Sequence, residues 1–249
     1  MIETVEHSTV DLIKTNASDE DVAYAAWVSN FGGAARKRDT SNIGKLIDFL
    51  YSNQHMSPFE HGSFTIFVDT PIFVAREFMR HRTFSYNETS GRYKELEPRF
   101  YLPRQGRPLI QVGKPGAYTF ETGSDNQYAY MTASQVNFFR RAWTTYQNQL
   151  GMGIAKEVSR NVLPLATMTQ FYATTNPRNL MQFLTLRNDE HALDEIRSVA
   201  EAMEHILASA MPLTYNVYAR ERDSWRKLRE LLERFSVEEI VERMNNEPS

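Results

Sequence analysis

Residues 64–71, Phe64-Thr65-Ile66-Phe67-Val68-Asp69-Thr70-Pro71, decide the fold. The first five are β-branched or aromatic, which suits a pleated, half-buried surface. Thr70-Pro71 then reads as a helix N-cap with proline at the first helical position. A strand therefore passes directly into a helix, predicted over residues 71–81. The same grammar returns at Phe171-Tyr172-Ala173-Thr174-Thr175 followed by Asn176-Pro177. These two strand-to-helix units, with no internal repeat and no linker-like stretch, predict one α+β domain over residues 1–249.

Outward from that core, residues 4–14 alternate loosely and are expected to form an opening strand. Asp19-Glu20-Asp21 opens a helical pattern through Val22, Ala25, Ala26 and Val28. Ser41 reads as the N-cap of a helix carrying Ile43, Leu46, Ile47 and Leu50. Residues 83–92 are polar, with Asn87, Ser90 and Gly91, and predict an irregular loop. Pro98, Pro103, Pro108 and Pro115 mark 98–123 as a long surface excursion that would serve as a lid or an interface. Tyr130, Val136, Phe139, Trp143 and Tyr146 recur at helical spacing across 126–150, Gly151 ends that helix, and a short one follows from Gly153. Helical periodicity then runs through Leu193, Ile196, Ala200, Met203, Ile206 and Leu207, and a helical tail occupies 221–249.

Composition excludes several chemistries. The net charge of −3 rules out a generally basic, polyanion-coating surface. The absence of cysteine removes thiolate nucleophiles, disulfides, cysteine-ligated zinc and iron–sulfur clusters. Gly151-Met152-Gly153 is followed by Lys156 where a dinucleotide fingerprint needs a third glycine, and there is no P-loop. The acidic residues near Met1 and the lack of a long apolar run predict a cytoplasmic protein with no membrane segment. Asn16-Ala17-Ser18 and Asn87-Glu88-Thr89 match glycosylation triplets by chance.

Charge is concentrated in one place. Between Arg76 and Arg107 lie eight basic residues (Arg76, Arg80, Arg82, Arg92, Lys94, Arg99, Arg104, Arg107) and four acidic ones (Glu77, Glu88, Glu95, Glu97), a local +4 within a chain of −3. Such a patch suits a phosphate-bearing small ligand. Arg80, His81 and Arg82 would equally stabilise the dipole of the preceding helix by ~0.3–1 kcal/mol each without any ligand. The donors and acceptors of Asn87, Glu88, Ser90 and Arg92 favour a site that holds a phosphate and the edge of a heterocycle.

Arg80-His81-Arg82, seven residues and Ser90, with Asn87, Glu88 and Arg92 inside or beside the motif, resembles the signature of flavin-dependent thymidylate synthases. Arg160-Asn161-Val162-Leu163-Pro164, Asn176-Pro177-Arg178 and the helix through Gln182 to Arg187 and His191 carry the likeness further. Arg187 and His191 lie one helical turn apart and are expected to face one pocket. His55-Met56-Ser57-Pro58-Phe59-Glu60-His61 is similar to the family's segment before its first long strand. Its two histidines and glutamate invite a metal, but no HExxH spacing or further ligand set accompanies them, so none is assigned. The resemblance spans about residues 20–220. It departs at Gln182, where asparagine is expected, and at Glu77, where many members carry glutamine.

The resemblance implies a central, mostly antiparallel sheet flanked by long helices, and a homotetramer with shared active sites. It implies reductive methylation of dUMP to dTMP, with methylenetetrahydrofolate as carbon donor and FAD, reduced by NADPH, as hydride carrier. Carried over by position, Glu77, Phe78, Met79, Arg80, Glu88, Thr89, Ser90, Gly91, Arg92, Arg160 and Arg187 surround dUMP. His55, Ser57, Arg80, His81, Arg82, Glu88, Asn176, Arg178 and Gln182 contact FAD. Cysteine-dependent thymidylate synthases activate uracil by addition at carbon 6. Without a cysteine, ionisation of N3 stabilised by a fixed guanidinium serves instead, and the resemblance assigns that catalytic role to Arg187. Ser90 lacks a dedicated base and is expected to orient the nucleotide rather than attack it. The alternatives are a uracil methylase acting on RNA, for which no RNA module is present, and a non-catalytic homologue that binds nucleotide and flavin.

Overall fold

A computed structural model describes residues 1–114, 117–234 and 239. In chain order its elements are β1 (Glu3–Val5), β2 (Thr9–Thr15), α1 (Asp19–Phe31), α2 (Gly44–Ser52), β3 (Phe64–Pro71), α3 (Ile72–Phe78), β4 (Ser85–Glu88), β5 (Arg99–Tyr101), β6 (Ile110–Lys114), β7 (Ala117–Glu121), α4 (Asp125–Gly151), α5 (Lys156–Ser159), β8 (Met168–Thr175), α6 (Pro177–Arg187), α7 (Asp194–Ala210) and α8 (Pro212–Arg234). The expected helical tail continues α8 as far as Arg234; apart from residue 239, the rest of it lies outside the described residues. Among the described residues no helix is long and apolar enough to cross a membrane.

The chain clusters into two compact units, one of residues 1–15, 63–175 and 182–204, the other of residues 16–62, 176–181 and 205–249. In the first, β2, β3, β8 and β4 form a four-stranded sheet in that order, antiparallel throughout. β3 and β8 pair along their whole lengths, from Phe64 opposite Thr175 to Pro71 opposite Met168. Phe64, Ile66, Val68, Phe171 and Ala173 are buried on one face, the alternation that period-2 side chains require. A second small pairing, β1 with β5, is parallel. Phe100 of β5 stacks on Phe139 of α4 at 4.9 Å between ring centroids, which seats the long helix.

Several local expectations change. The opening segment forms two strands, not one. β3 runs on through Pro71, and the helix begins at Ile72 with Pro71 as its cap. Pairing with β2 stops at Asp69, so no ladder donor is required of Pro71, and Thr70 shares a hydrogen bond with Ser8 at 2.8 Å instead of capping. α3 ends at Phe78, short of His81. Residues 85–88, expected as loop, form the edge strand β4.

The 98–123 excursion contains β5 and the hairpin β6–β7, in which Gln111 faces Phe120 and Val112 faces Thr119. The base of the hairpin is held by Arg107, whose Nε and Nη2 each reach the Glu195 carboxylate at 3.1 Å, while Tyr101 donates to the same group at 2.8 Å. Burial would raise the Glu195 pKa, yet these hydrogen bonds outweigh it and the group lies below its ordinary value.

In the second unit Asp19, buried at the start of α1, accepts hydrogen bonds from the Leu213 N–H (2.8 Å), the Thr214 N–H (3.0 Å) and the Thr214 hydroxyl (2.7 Å). A carboxylate thus satisfies the orphan donors at the N-terminus of α8. Ser18 caps α1 through the Asp21 N–H at 3.1 Å. Ser41 does not cap α2. It bonds Asp39 through both its N–H and its hydroxyl, and α2 starts at Gly44 without a side-chain cap.

Candidate functional site

α3 is short, and its last carbonyls have no intrahelical partner. Side chains from two other elements close them. The Glu77 carbonyl accepts from Arg187 Nη2 at 3.4 Å, and the Phe78 carbonyl accepts from the Tyr86 hydroxyl at 3.1 Å, which also reaches the His81 carbonyl at 2.8 Å. Burial lifts the Tyr86 pKa well above the usual phenol range, so the hydroxyl stays protonated and donates. Arg187 is the last residue of α6 and Tyr86 lies in β4, so sheet, α3 and α6 meet at this point.

Arg187 also donates from Nε to His81 Nε2 at 3.1 Å, and its Nη1 lies 3.6 Å from Glu77 Oε2. An arginine carries five N–H groups. Two are hydrogen-bonded, one to His81 and one to the Glu77 carbonyl; of the other three, the two on Nη1 lie beside the Glu77 carboxylate. Burial, and then the neighbouring Arg187 cation, lower the His81 pKa to about 4. His81 is therefore neutral near pH 7, with Nε2 as acceptor and the proton on Nδ1. Its ring meets Phe183 edge-on at 4.8 Å, and Phe183 in turn packs on Phe78 at 4.6 Å. Phe78, expected among the dUMP residues, is fully buried in this aromatic cluster with Phe84 and Phe171, and its side chain forms the floor of the site.

A second group gathers where β4 leaves the sheet. Glu88 Oε1 accepts from the Thr169 hydroxyl at 2.6 Å, and the Thr89 N–H donates to the Gln170 carbonyl at 2.8 Å. Ser90 Oγ accepts the Arg92 N–H at 3.3 Å, and Arg92 Nε donates to Glu157 at 2.8 Å. Gly91 is buried, and a Cβ there would meet Arg160 Cδ and Leu96 Cδ1, each at 3.2 Å. The missing side chain lets Arg160 lie across the turn. Arg160, far away in sequence, is thus brought against Gly91, between Ser90 and Arg92 in the chain. Arg80 and Arg82 are exposed and form no ion pair among the described residues, whereas Met79 caps α3 through its N–H to the Ala75 carbonyl.

In the second unit, Arg178 is paired with Glu60, and Asn176 caps α6 by accepting the Asn179 N–H at 2.9 Å, as the Asn-Pro pattern predicts. His55 packs edge-on against Phe49 at 5.6 Å, and Ser57 begins a single 3-10 turn that ends at Glu60. Gln182 is exposed on α6. Among the described residues no group of three or more histidine, aspartate or glutamate side chains is arranged to hold a metal ion.

His191 does not extend the face of Arg187. α6 stops at Arg187, and His191 is an exposed turn residue whose N–H bonds Asp189 at 3.0 Å. Sequence reading missed Tyr86, Thr169, Glu157 and Phe183. Only Phe183 left a usable signal, since it lies four residues before Arg187 on the same helical face.

The profile of the family described as thymidylate synthase complementing protein matches residues 11–213. A flavin-dependent thymidylate synthase of Streptomyces coelicolor is 44% identical over 229 residues, covering 87% of this chain and 93% of that one. The chain belongs to the flavin-dependent thymidylate synthase family. Another family protein, from Streptomyces avermitilis, is 46% identical over 222 residues, 84% of this chain and 90% of its own. Among solved structures, the UMP/dUMP methylase PolB from Streptomyces cacaoi, bound with 5-Br dUMP, superposes with a TM-score of 0.82 at 41% identity, covering 88% of this chain and 97% of that chain. Membership of the family accounts for the antiparallel sheet with long helices and for the Arg80-His81-Arg82 and Ser90 signature.

Proposed function

We propose that this protein methylates dUMP to dTMP. The observation that carries the reading is Arg187, a guanidinium fixed on two sides by hydrogen bonds, with further N–H groups for a ligand to share with the Glu77 carboxylate. An arginine cannot give up its proton at physiological pH, so it stabilises a uracil ring ionised at N3 without quenching it, and electron density then reaches carbon 5. Glu77, Phe78, Met79 and Arg80 at the end of α3, Glu88 to Arg92 after β4, and Arg160 form the remaining wall for the nucleotide. The Ser90 hydroxyl and the guanidinium groups of Arg92 and Arg160 suit its phosphate. Ser90 Oγ contacts neither an imidazole nor a carboxylate among the described residues, which supports an orienting role.

Arg80 and Arg82, exposed and without ion-pair partners among the described residues, fit a diphosphate, so His55, Ser57, Arg80, His81, Arg82, Glu88, Asn176, Arg178 and Gln182 are proposed to hold FAD. When bound, FAD reduced by NADPH supplies the hydride that completes the methyl group delivered from methylenetetrahydrofolate. The protein's own part is position and field. We place the activity in a homotetramer with shared sites, a single-chain domain in each subunit.

A second reading is favoured by one observation, that PolB, similar over 88% of this chain, is a methylase of UMP as well as dUMP. The visible spectrum of FAD-reconstituted protein tests the main proposal. A flavin band that bleaches with NADPH and shifts with dUMP supports one redox site for both. Failure of folded protein to retain FAD contradicts it, and a shift with UMP equal to that with dUMP favours the broader substrate range.

A further inference from the structure

His81 lies within the signature that the family reading gives to FAD, yet its ring makes two contacts with α6. It meets the Phe183 ring at 4.8 Å and accepts from Arg187 Nε at 3.1 Å. Phe183 and Arg187 are four residues apart, one helical turn, so the imidazole seats on a single stripe of the helix. The backbone beneath it is pinned as well. The His81 N–H donates to the Phe78 carbonyl at 3.1 Å, and the His81 carbonyl accepts from Tyr86 at 2.8 Å. Ring and backbone are therefore held before any ligand arrives.

We infer that His81 is a positioning residue for Arg187, an imidazole acceptor that fixes the guanidinium plane so that its outer N–H groups face the nucleotide. Arginine rotates about its terminal torsions, and an unanchored guanidinium beside Glu77 would turn toward that carboxylate, 3.6 Å from Nη1. A hydrogen bond at Nε sets the plane, because Nε and both Nη atoms are coplanar. The Glu77 carbonyl on Nη2 then sets the remaining direction. The low basicity of His81 serves the same end, since a protonated ring would lose the acceptor and repel the guanidinium.

This inference rests on the proposed methylation, and its test separates the two. Full-length protein loaded with FAD is compared as wild type, H81F, H81Q, R187K and H81F/R187K. Phenylalanine keeps the ring contact with Phe183 and removes the acceptor; glutamine restores an acceptor amide. At saturating FAD, H81F is expected to keep its melting temperature while kcat/KM for dUMP falls about 10- to 100-fold, the value of one hydrogen bond to a charged group. H81Q recovers most of that loss, and H81F adds nothing to R187K. Losses that multiply in the double variant would show that His81 acts on a ligand directly and would overturn the inference, as would an H81F enzyme with wild-type activity. A ligand-free readout is independent of the reaction: in protein labelled with 15N-histidine, the unprotonated ring nitrogen of His81 shifts in R187K. No shift in that resonance overturns the inference even if dTMP is formed, whereas a shift without dTMP in the wild type refutes only the proposed function.

Discussion

Arg187 Nε donates to His81 Nε2 across 3.1 Å, joining the end of α6 to the turn after α3 over 106 positions of sequence. Each partner defines the other's state. The imidazole stays neutral because it is buried and faces a cation, and the cation has a fixed plane because the imidazole is neutral.

Arg187→Ala should lower kcat for dUMP methylation by about 10²–10³-fold, the range for losing one group that stabilises developing charge. Far-UV circular dichroism should be unchanged. A variant with full activity would remove Arg187 from the chemistry.

Glu77→Gln should strengthen dUMP binding. The carboxylate lies 3.6 Å from Arg187 Nη1 and competes with an ionised uracil for it, whereas an amide does not. A two- to fivefold fall in KM, about 0.4–1 kcal/mol, is expected for a half-exposed pair. Weaker binding would mean that Glu77 itself holds the nucleotide.

Gly91→Ala should impair nucleotide binding more than folding. The added methyl would lie 3.2 Å from Arg160 Cδ and 3.2 Å from Leu96 Cδ1, so Arg160 must move. Calorimetric titration with dUMP should show a loss of affinity of about tenfold, with a melting temperature lowered by only a few degrees.

Stability should fall as pH falls from about 6.5 to about 4. In this window the unfolded chain protonates His81 and the folded protein does not, so the unfolded state binds more protons and gains relative to the native state. Below about pH 4 both states are protonated and this contribution levels off. Melting curves at several pH values should show a steeper decline for the wild type than for H81Q, which has no group to titrate there; parallel curves would contradict it.

What could be read from the sequence was what local chemistry encodes. Asn176-Pro177 starts a helix because cap and proline act within one turn, and β3 and β8 are visible because their cores are rich in β-branched and aromatic residues. Thr70-Pro71 misled because the same dipeptide is compatible with the end of a strand, and pairing with β8 decided the matter. β4 escaped notice because a polar edge strand looks like a loop until β8 supplies its partner. The hairpin β6–β7 was hidden among prolines, although its Tyr118, Phe120 and Val112 alternate as strands do. In the site, the Arg80-His81-Arg82 and Ser90 signature was legible. The contacts of Arg187 with His81, Arg92 with Glu157, and Glu88 with Thr169 were not, because each joins segments more than 60 residues apart that only folding brings together.

The most direct measurement is product analysis of FAD-reconstituted protein incubated with dUMP, methylenetetrahydrofolate and NADPH under anaerobic conditions. The expected result is dTMP formed in step with NADPH oxidation and lost in Arg187→Ala. NADPH oxidation without dTMP, in folded protein that retains FAD and binds dUMP, would contradict it.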